Sequence, residues 1–276
     1  MPGKNRTGRI ESGEVDLAYR EAGDGPDTVV FSHSYLVDSD QFDDQIEALS
    51  PSFRVIAFDH RDHGASGRAT GPYGMADLTA DGARVIEELD AAPCHWVGLS
   101  TGGFVGMRLA LEHPESFRSL TLMDTSASAE RGASKARNRA MMAALPVVGV
   151  KPMLGQAMKL MFADPFLREE EHAEAKAFWR DRMAANDPKA LRRFGNAIFG
   201  RDDVLDRLPT LDLPVHAIAG EDDRALSPDH VRAVADAVPG AQLSLIAGAG
   251  HLCTVERPAA VNDVLVPFIE AHRSTA

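Results

Sequence analysis

Two apolar runs meet at a five-residue bend, and that junction restricts the fold more than any other stretch of the chain. His95-Trp96-Val97 reads as a buried strand, and Gly103-Phe104-Val105-Gly106-Met107-Arg108-Leu109-Ala110-Leu111 has the length and composition of a helix. Between them lie Gly98-Leu99-Ser100-Thr101-Gly102. A strand that enters a helix through so short a connection must turn sharply, and the flanking glycines remove side chains that would collide there. A serine at the apex keeps its hydroxyl exposed. The unpaired N–H groups of the helix's first turn point at negative charge developing beside it. Gly-x-Ser-x-Gly alone also marks ordinary turns; the strand before it and the helix after it make Ser100 a candidate nucleophile.

Strand-like and helix-like segments alternate on both sides of this bend. Residues 15–20, 28–32, 54–58 and 119–123 read as strands, and residues 40–49 and 75–89 as helices, with Phe42, Ile46 and Leu49 on one helical face. The rhythm stops after Asp124. From Thr125 to about Arg207 the pattern is helical, with turns at residues 146–149, Asp164-Pro165 and Asp187-Pro188. Alternation resumes with a strand at 215–219, a helix near 228–238, a strand at 242–246 and a last helix near 258–272. Continuous apolar strands alternating with helices predict an α/β fold whose mostly parallel sheet is covered on both faces. Residues 1–124 and 208–276 then form one core, and residues 125–207 a helical cap inserted into it. An independent middle domain fits less well, because both flanks are needed to complete one sheet.

Composition narrows the function. The 276 residues are 44% hydrophobic, enough for a sizeable core, and carry a formal net charge of −12, which argues against a nucleic-acid partner. Cys94 and Cys253 are too few for a disulfide framework. Residues 1–8 lack the apolar stretch of a secretion signal, and no run is long enough to span a bilayer, so a cytoplasmic protein without membrane attachment is expected. Oligomeric state leaves no readable signal.

A serine hydroxyl is a weak nucleophile at neutral pH and needs a base in contact with it, itself held by a third group. The candidate base is His251, in the glycine-rich Ala247-Gly248-Ala249-Gly250-His251 that follows the last strand. The orienting acid belongs on the loop after the preceding strand, where Gly220-Glu221-Asp222-Asp223 offers three adjacent carboxylates. Only one of them can hold the imidazole. The order serine, acid, histidine differs from the orders of the two main serine-protease folds.

With these motifs the chain resembles the α/β-hydrolase superfamily over nearly its whole length. The likeness is carried by Ser32-His33-Ser34-Tyr35-Leu36, Asp59-His60-Arg61-Asp62-His63-Gly64-Ala65-Ser66-Gly67, residues 98–103, 220–223 and 248–251. Within it the chain is most similar to the 3-oxoadipate enol-lactonase and small bacterial carboxylesterase branch. That resemblance implies a Ser100-Asp223-His251 triad, with Asp222 as second choice for the acid. It implies an oxyanion hole made of the backbone N–H groups of Tyr35 and Thr101. It implies hydrolysis of a small-molecule ester or lactone through an acyl-enzyme, with no cofactor. The same triad also serves carbon–carbon bond hydrolysis or perhydrolysis, and some members of the superfamily are ligand receptors. Many relatives have His-Gly where this chain has His33-Ser34. A left-handed Ser34 would be strained.

Other motifs have plainer readings. His60-Arg61-Asp62-His63 looks like half of a metal site, but the metal-binding lactonase pattern needs a further histidine where Phe58 stands, so the segment is read as structural and no metal is expected. His33 is read as bracing its loop. The inserted segment holds Met141, Met142, Met153, Met158, Met161 and Met183, with Phe162, Phe166, Phe178, Trp179, Phe194 and Phe199. Most should pack the segment onto the core, and a few should line an apolar pocket over Ser100. An anionic substrate would need basic groups there, for which Arg139, Arg192 and Arg193 are candidates.

Overall fold

In the computed structural model, which describes residues 6–274, eight strands form one sheet: β1 (Arg6–Ser12), β2 (Val15–Ala22), β3 (Thr28–Ser32), β4 (Arg54–Phe58), β5 (Cys94–Leu99), β6 (Phe117–Met123), β7 (Val215–Gly220) and β8 (Gln242–Ile246). The first five residues of the N-terminal stretch discussed above lie outside the described residues. The strand order is β1-β2-β4-β3-β5-β6-β7-β8; β2 runs antiparallel to both neighbours, and β3 to β8 run parallel. The central strands β3, β5 and β7 are buried along their whole length, which is why they read as unbroken apolar runs. β1 gave no such signal, because Ile10 is its one buried hydrophobic residue and most of the strand faces solvent.

Side chains alternate between two cores. Val30, Ile56 and Trp96 face α2 (Met75–Glu88) and α3 (Thr101–Glu112), after α1 (Asp43–Leu49) on the opposite side. Val29, Phe31, Val55 and Val97 point the other way, and on that face Leu49 of α1 meets the later C-terminal helix. Each large side chain withdrawn fully from water stabilises the fold by roughly 1.5–3 kcal/mol, so a sheet covered on both faces anchors the strand ends firmly.

Between β6 and β7 the described residues form no strand. They form α4 (Gly132–Val148), α5 (Leu154–Met161), α6 (Asp164–Arg168), α7 (Ala173–Ala184) and α8 (Pro188–Phe199). α8 shows the cause of its docking in its sequence: Ala190, Leu191, Phe194, Ala197 and Ile198 are buried at helical spacing. Asp187 starts it by accepting the Ala190 N–H at 2.7 Å, and Pro188 fills the first helical position. After β7 come α9 (Pro228–Ala237), α10 (Cys253–Glu256) and α11 (Pro258–Ala271), the last packing Val261, Leu265 and Ile269 against the α1 face. No helix among the described residues is long and apolar enough to cross a membrane.

The parallel register brings the strand ends level. Ser32 pairs with Gly98, Leu99 with Met123, Met123 with Ile218 and Gly220 with Ile246. The loops after β3, β5, β7 and β8 therefore leave one edge of the sheet together, the edge where parallel α/β folds place ligands.

Candidate active site

Ser100 alone makes the turn from β5 to α3, with φ 52° and ψ −105°. A non-glycine residue in that region is strained and must be held there by its surroundings. The Ser100 N–H donates to the Met123 carbonyl at 2.8 Å. Its own carbonyl accepts from the Phe104 N–H at 3.0 Å and from the Thr125 hydroxyl at 2.8 Å. The glycines are demanded by crowding: a Cβ on Gly98 would lie 2.2 Å from the Gly102 carbonyl oxygen, and one on Gly102 would lie 1.9 Å from the Ser32 carbonyl oxygen.

His251 donates from Nδ1 to Asp223 Oδ2 at 2.8 Å, and both side chains are buried. The other oxygen of Asp223 accepts the N–H groups of Ala225 at 2.7 Å and Leu226 at 3.0 Å, which fixes the carboxylate. Glu221 and Asp222 are exposed, so the structure brings Asp223 and not its neighbours to the imidazole. Burial alone would lower the His251 pKa; the Asp223 carboxylate, with Asp124 and Glu256 behind it, outweighs this and raises it above the ordinary histidine value.

Asp124, directly after β6, escaped the sequence reading although it marks the point where alternation stops. It is fully buried, accepts the Gly220 N–H at 2.8 Å, and is pushed well above the usual carboxylate range by burial and by Asp223. It therefore holds its proton more tightly than an ordinary carboxyl group, and its bond to Gly220 ties β6 to β7. The neighbouring Cys253 thiol is pushed up in turn, mainly by burial, and is no nucleophile.

The loop after β3 is pinned on both sides of Tyr35. His33 Nε2 accepts the His60 N–H at 2.8 Å, which leaves Nδ1 protonated to donate to the Ser34 carbonyl at 2.7 Å. The Ser34 N–H donates to Gln41 Oε1 at 3.1 Å. The left-handed residue is Leu36, with φ 72°, rather than Ser34, and the Asn186 side chain holds its carbonyl at 2.9 Å. Neither the Tyr35 nor the Thr101 N–H has a backbone or side-chain acceptor among the described residues.

Ser34, Tyr35, Ser100 and His251 line one cavity of about 420 Å³, together with residues of α4, α5 and α8. Four of the six methionines, Met141, Met142, Met153 and Met161, line it, while Met158 and Met183 pack in the core. Among the aromatic residues of the insertion Phe199 lines it. The expected basic groups are corrected. Arg193 is bound to Asp62 at 2.7 and 3.0 Å, Arg192 faces a separate groove beside Tyr73 and Lys189, and Arg139 is exposed outside the lining. Arg137, Arg201 and Arg224 line the cavity instead. Helical phase carried a signal for α4: Ser134, Arg137, Asn138, Met141, Met142 and Leu145 recur at three- and four-residue steps and share the cavity face.

The half-motif after β4 holds the architecture. His60 Nε2 lies 3.0 Å from the Ser32 hydroxyl, Arg61 pairs twice with Asp81 at 2.6 Å, and Asp62 takes Arg193 and, at 2.9 Å, the Tyr73 hydroxyl. These side chains are committed to four different neighbours.

A strained serine leading a helix, with a histidine–aspartate pair beside it at the sheet's carboxyl edge, matches one family closely. The sequence pattern of the alpha/beta hydrolase fold matches residues 27–258. The chain belongs to the α/β-hydrolase family. It is 30% identical to the protein named "Putative carbamate hydrolase RutD" from Azorhizobium caulinodans, over 93% of this chain and 96% of that one. It is 29% identical to rhodomycin D methylesterase DnrP of Streptomyces peucetius, covering 98% and 99% of the two chains. The crystal structure of the enol-lactonase from Burkholderia xenovorans LB400 superimposes with a TM-score of 0.88 at 26% identity, covering 95% of this chain and all of that one. These relatives support a hydrolase acting on esters or similar bonds.

Proposed function

We propose that this protein hydrolyses a carboxylic ester or lactone through an acyl-enzyme formed on Ser100. The hydrogen bond from His251 to Asp223, in the cavity that also contains Ser100, carries this reading. Because Nδ1 holds its proton for Asp223, the lone pair of His251 sits on Nε2 and is available to the serine. Ser100 Oγ makes no hydrogen bond among the described residues, and the proposal requires Nε2 to meet it in the substrate complex, where catalytic bonds often tighten.

Ser100 Oγ attacks the acyl carbon while Nε2 takes its proton. The carbonyl oxygen gains the negative charge and lies against the N–H groups of Tyr35 and Thr101, each contributing about 3 kcal/mol to the transition state. The imidazolium, held by Asp223, then delivers its proton to the leaving alcohol oxygen. Water repeats the sequence on the acyl-enzyme, with His251 again as base, and releases the acid. Thioether side chains adapt to irregular shapes, so the Met141, Met142 and Met153 wall suits a flexible chain rather than one rigid ring.

The test is covalent labelling with a fluorophosphonate together with a panel of p-nitrophenyl esters and lactones of graded length. Labelling should map to Ser100, and Ser100→Ala should abolish it and remove at least about 10³-fold of the hydrolysis. An unlabelled wild-type protein, or a Ser100→Ala variant with wild-type turnover, would overturn the proposal. Binding of panel compounds without multiple turnover would point to a receptor.

A further inference from the structure

One buried carboxylate joins the catalytic histidine's loop to the helical insertion, and no step described above uses it. Glu256 closes α10, five residues after His251, and is 2% exposed. Its Oε1 accepts the N–H of Gly250, immediately before His251, at 2.9 Å. Its Oε2 accepts the N–H of Ala163, between α5 and α6, at 2.8 Å. The Leu252 N–H adds a bond to the Met161 carbonyl at 3.0 Å. The two segments touch: a Cβ on Gly250 would lie 2.6 Å from the Ala163 nitrogen and 2.9 Å from the Phe162 carbonyl carbon. Met161 itself lines the substrate cavity.

From this geometry, and resting on the triad reading above, we propose that Glu256 is a positioning residue whose ionised carboxylate fixes His251 and the cavity wall relative to each other, and whose protonation loosens that link. A carboxylate offers acceptors on both oxygens, as two N–H groups on different segments require. A carboxylic acid keeps one good acceptor and turns an O–H donor toward an N–H donor, so one of the two bonds is lost. The setting makes this change accessible. Burial pushes Glu256 up, opposed by its two N–H partners, and Asp223 adds to the rise while His251 opposes it, leaving a pKa of about 7. The other groups around it are the Cys253 thiol on its own helix and the Arg257 guanidinium, which donates to the Glu256 carbonyl at 3.3 Å. From α1 the uncharged Gln45 reaches α10, at the Thr254 carbonyl. In the insertion the charged residue beside Ala163 is Asp164, bound outward to Arg168 and Arg224.

Two measurements test the proposal. In wild-type protein, amide hydrogen exchange at Ala163 and Gly250, corrected for intrinsic rates, should show less protection at pH 6 than at pH 8. In steady-state kinetics on a p-nitrophenyl ester, the acid limb of log kcat against pH should be steeper than one proton near neutrality for the wild type, since protonating His251 stops turnover and protonating Glu256 lowers it about tenfold. Glu256→Gln places an amide donor where the acid form has its O–H. It should show a single-proton limb and a kcat about tenfold lower at pH 8, the effect of losing one charged hydrogen bond at the site. Equal protection at the two pH values, or a Glu256→Gln variant with the wild-type kcat and limb, overturns the inference. If Ser100→Ala is inactive while Glu256→Gln behaves as wild type, this inference fails alone; if Ser100→Ala remains active, the triad reading fails and this falls with it. Should Glu256→Gln not fold, the wild-type exchange experiment decides.

Discussion

His251 balances two opposing influences, and its pH behaviour follows from which one wins. Burial favours the neutral ring; the Asp223 carboxylate 2.8 Å away favours the imidazolium and prevails, so the ring titrates above the ordinary histidine value. Only the neutral ring accepts the serine proton, so hydrolysis should rise with pH through that raised pKa and then level off. The linked stability runs the other way: the extra proton affinity of the folded state stabilises it below the unfolded histidine pKa, and the contribution is lost as pH rises through the folded one. Asp223→Asn removes the attraction, so the acid limb of kcat/KM should move to lower pH. Its plateau should fall by about 10³-fold or more, because the amide no longer enforces the productive tautomer. Asp222→Asn alters an exposed side chain and should change neither limb nor plateau. Steady-state pH profiles of the two variants, compared with wild type, decide between these carboxylates; the reverse ranking would mean that the His251–Asp223 pair is not the working one.

At the level of elements, the junction of β5 and α3 works because neighbouring backbone occupies the space where side chains would be. Gly102→Ala would drive a methyl group into the Ser32 carbonyl at the end of β3, and neither strand end can retreat without breaking the pairing of Ser32 with Gly98. The variant should be destabilised by about 3 kcal/mol, the upper range for overpacking. Gly155 in α5 has open space around its Cβ position, and Gly155→Ala should gain roughly 0.5–1 kcal/mol. Urea unfolding midpoints at constant slope would measure both shifts. This junction was legible in the sequence because its strand is apolar throughout and its glycines stand at fixed offsets. β1 was not, since an edge strand that is mostly wet has no apolar run to betray it. The residues alone narrowed the acid to three adjacent carboxylates and the resemblance selected Asp223; in the structure Asp223 is the buried one and is bonded to His251. A left-handed Ser34 would have strained the loop after β3; the positive φ falls on Leu36 instead, two residues on, while His33 and Gln41 hold the Ser34 backbone.

Across the whole molecule, charge is distributed against the bulk trend. The chain carries a net −12, yet the cavity over Ser100 has Arg137, Arg201 and Arg224 against the single carboxylate Glu130. Helical periodicity puts Arg137 on one face of α4 with Ser134 and Met141 but does not say whether that face meets a cavity or a core, since both follow the same spacing. Arg201 is the telling member. Its guanidinium lies 4.1 Å over the Phe104 ring, one helical turn from Ser100, and donates from Nη1 to the Ile198 carbonyl at 3.0 Å. Glu130 forms an ion pair with it at 3.7 Å, longer than a hydrogen bond, and the buried Nε has no hydrogen-bond partner among the described residues. Burial lowers its pKa to about 10, which still leaves it charged at neutral pH. A buried cation so incompletely satisfied favours a substrate that brings its own negative group. Wild-type enzyme should therefore prefer monoethyl adipate, an ester with a free carboxylate, over ethyl hexanoate, and added salt should narrow the gap. Arg201→Gln should lower the ratio of the two kcat/KM values by about tenfold, the scale of one charge-assisted hydrogen bond. Proton release in a pH-stat reads both substrates directly; a ratio that Arg201→Gln leaves unchanged would show that the guanidinium only packs against Phe104.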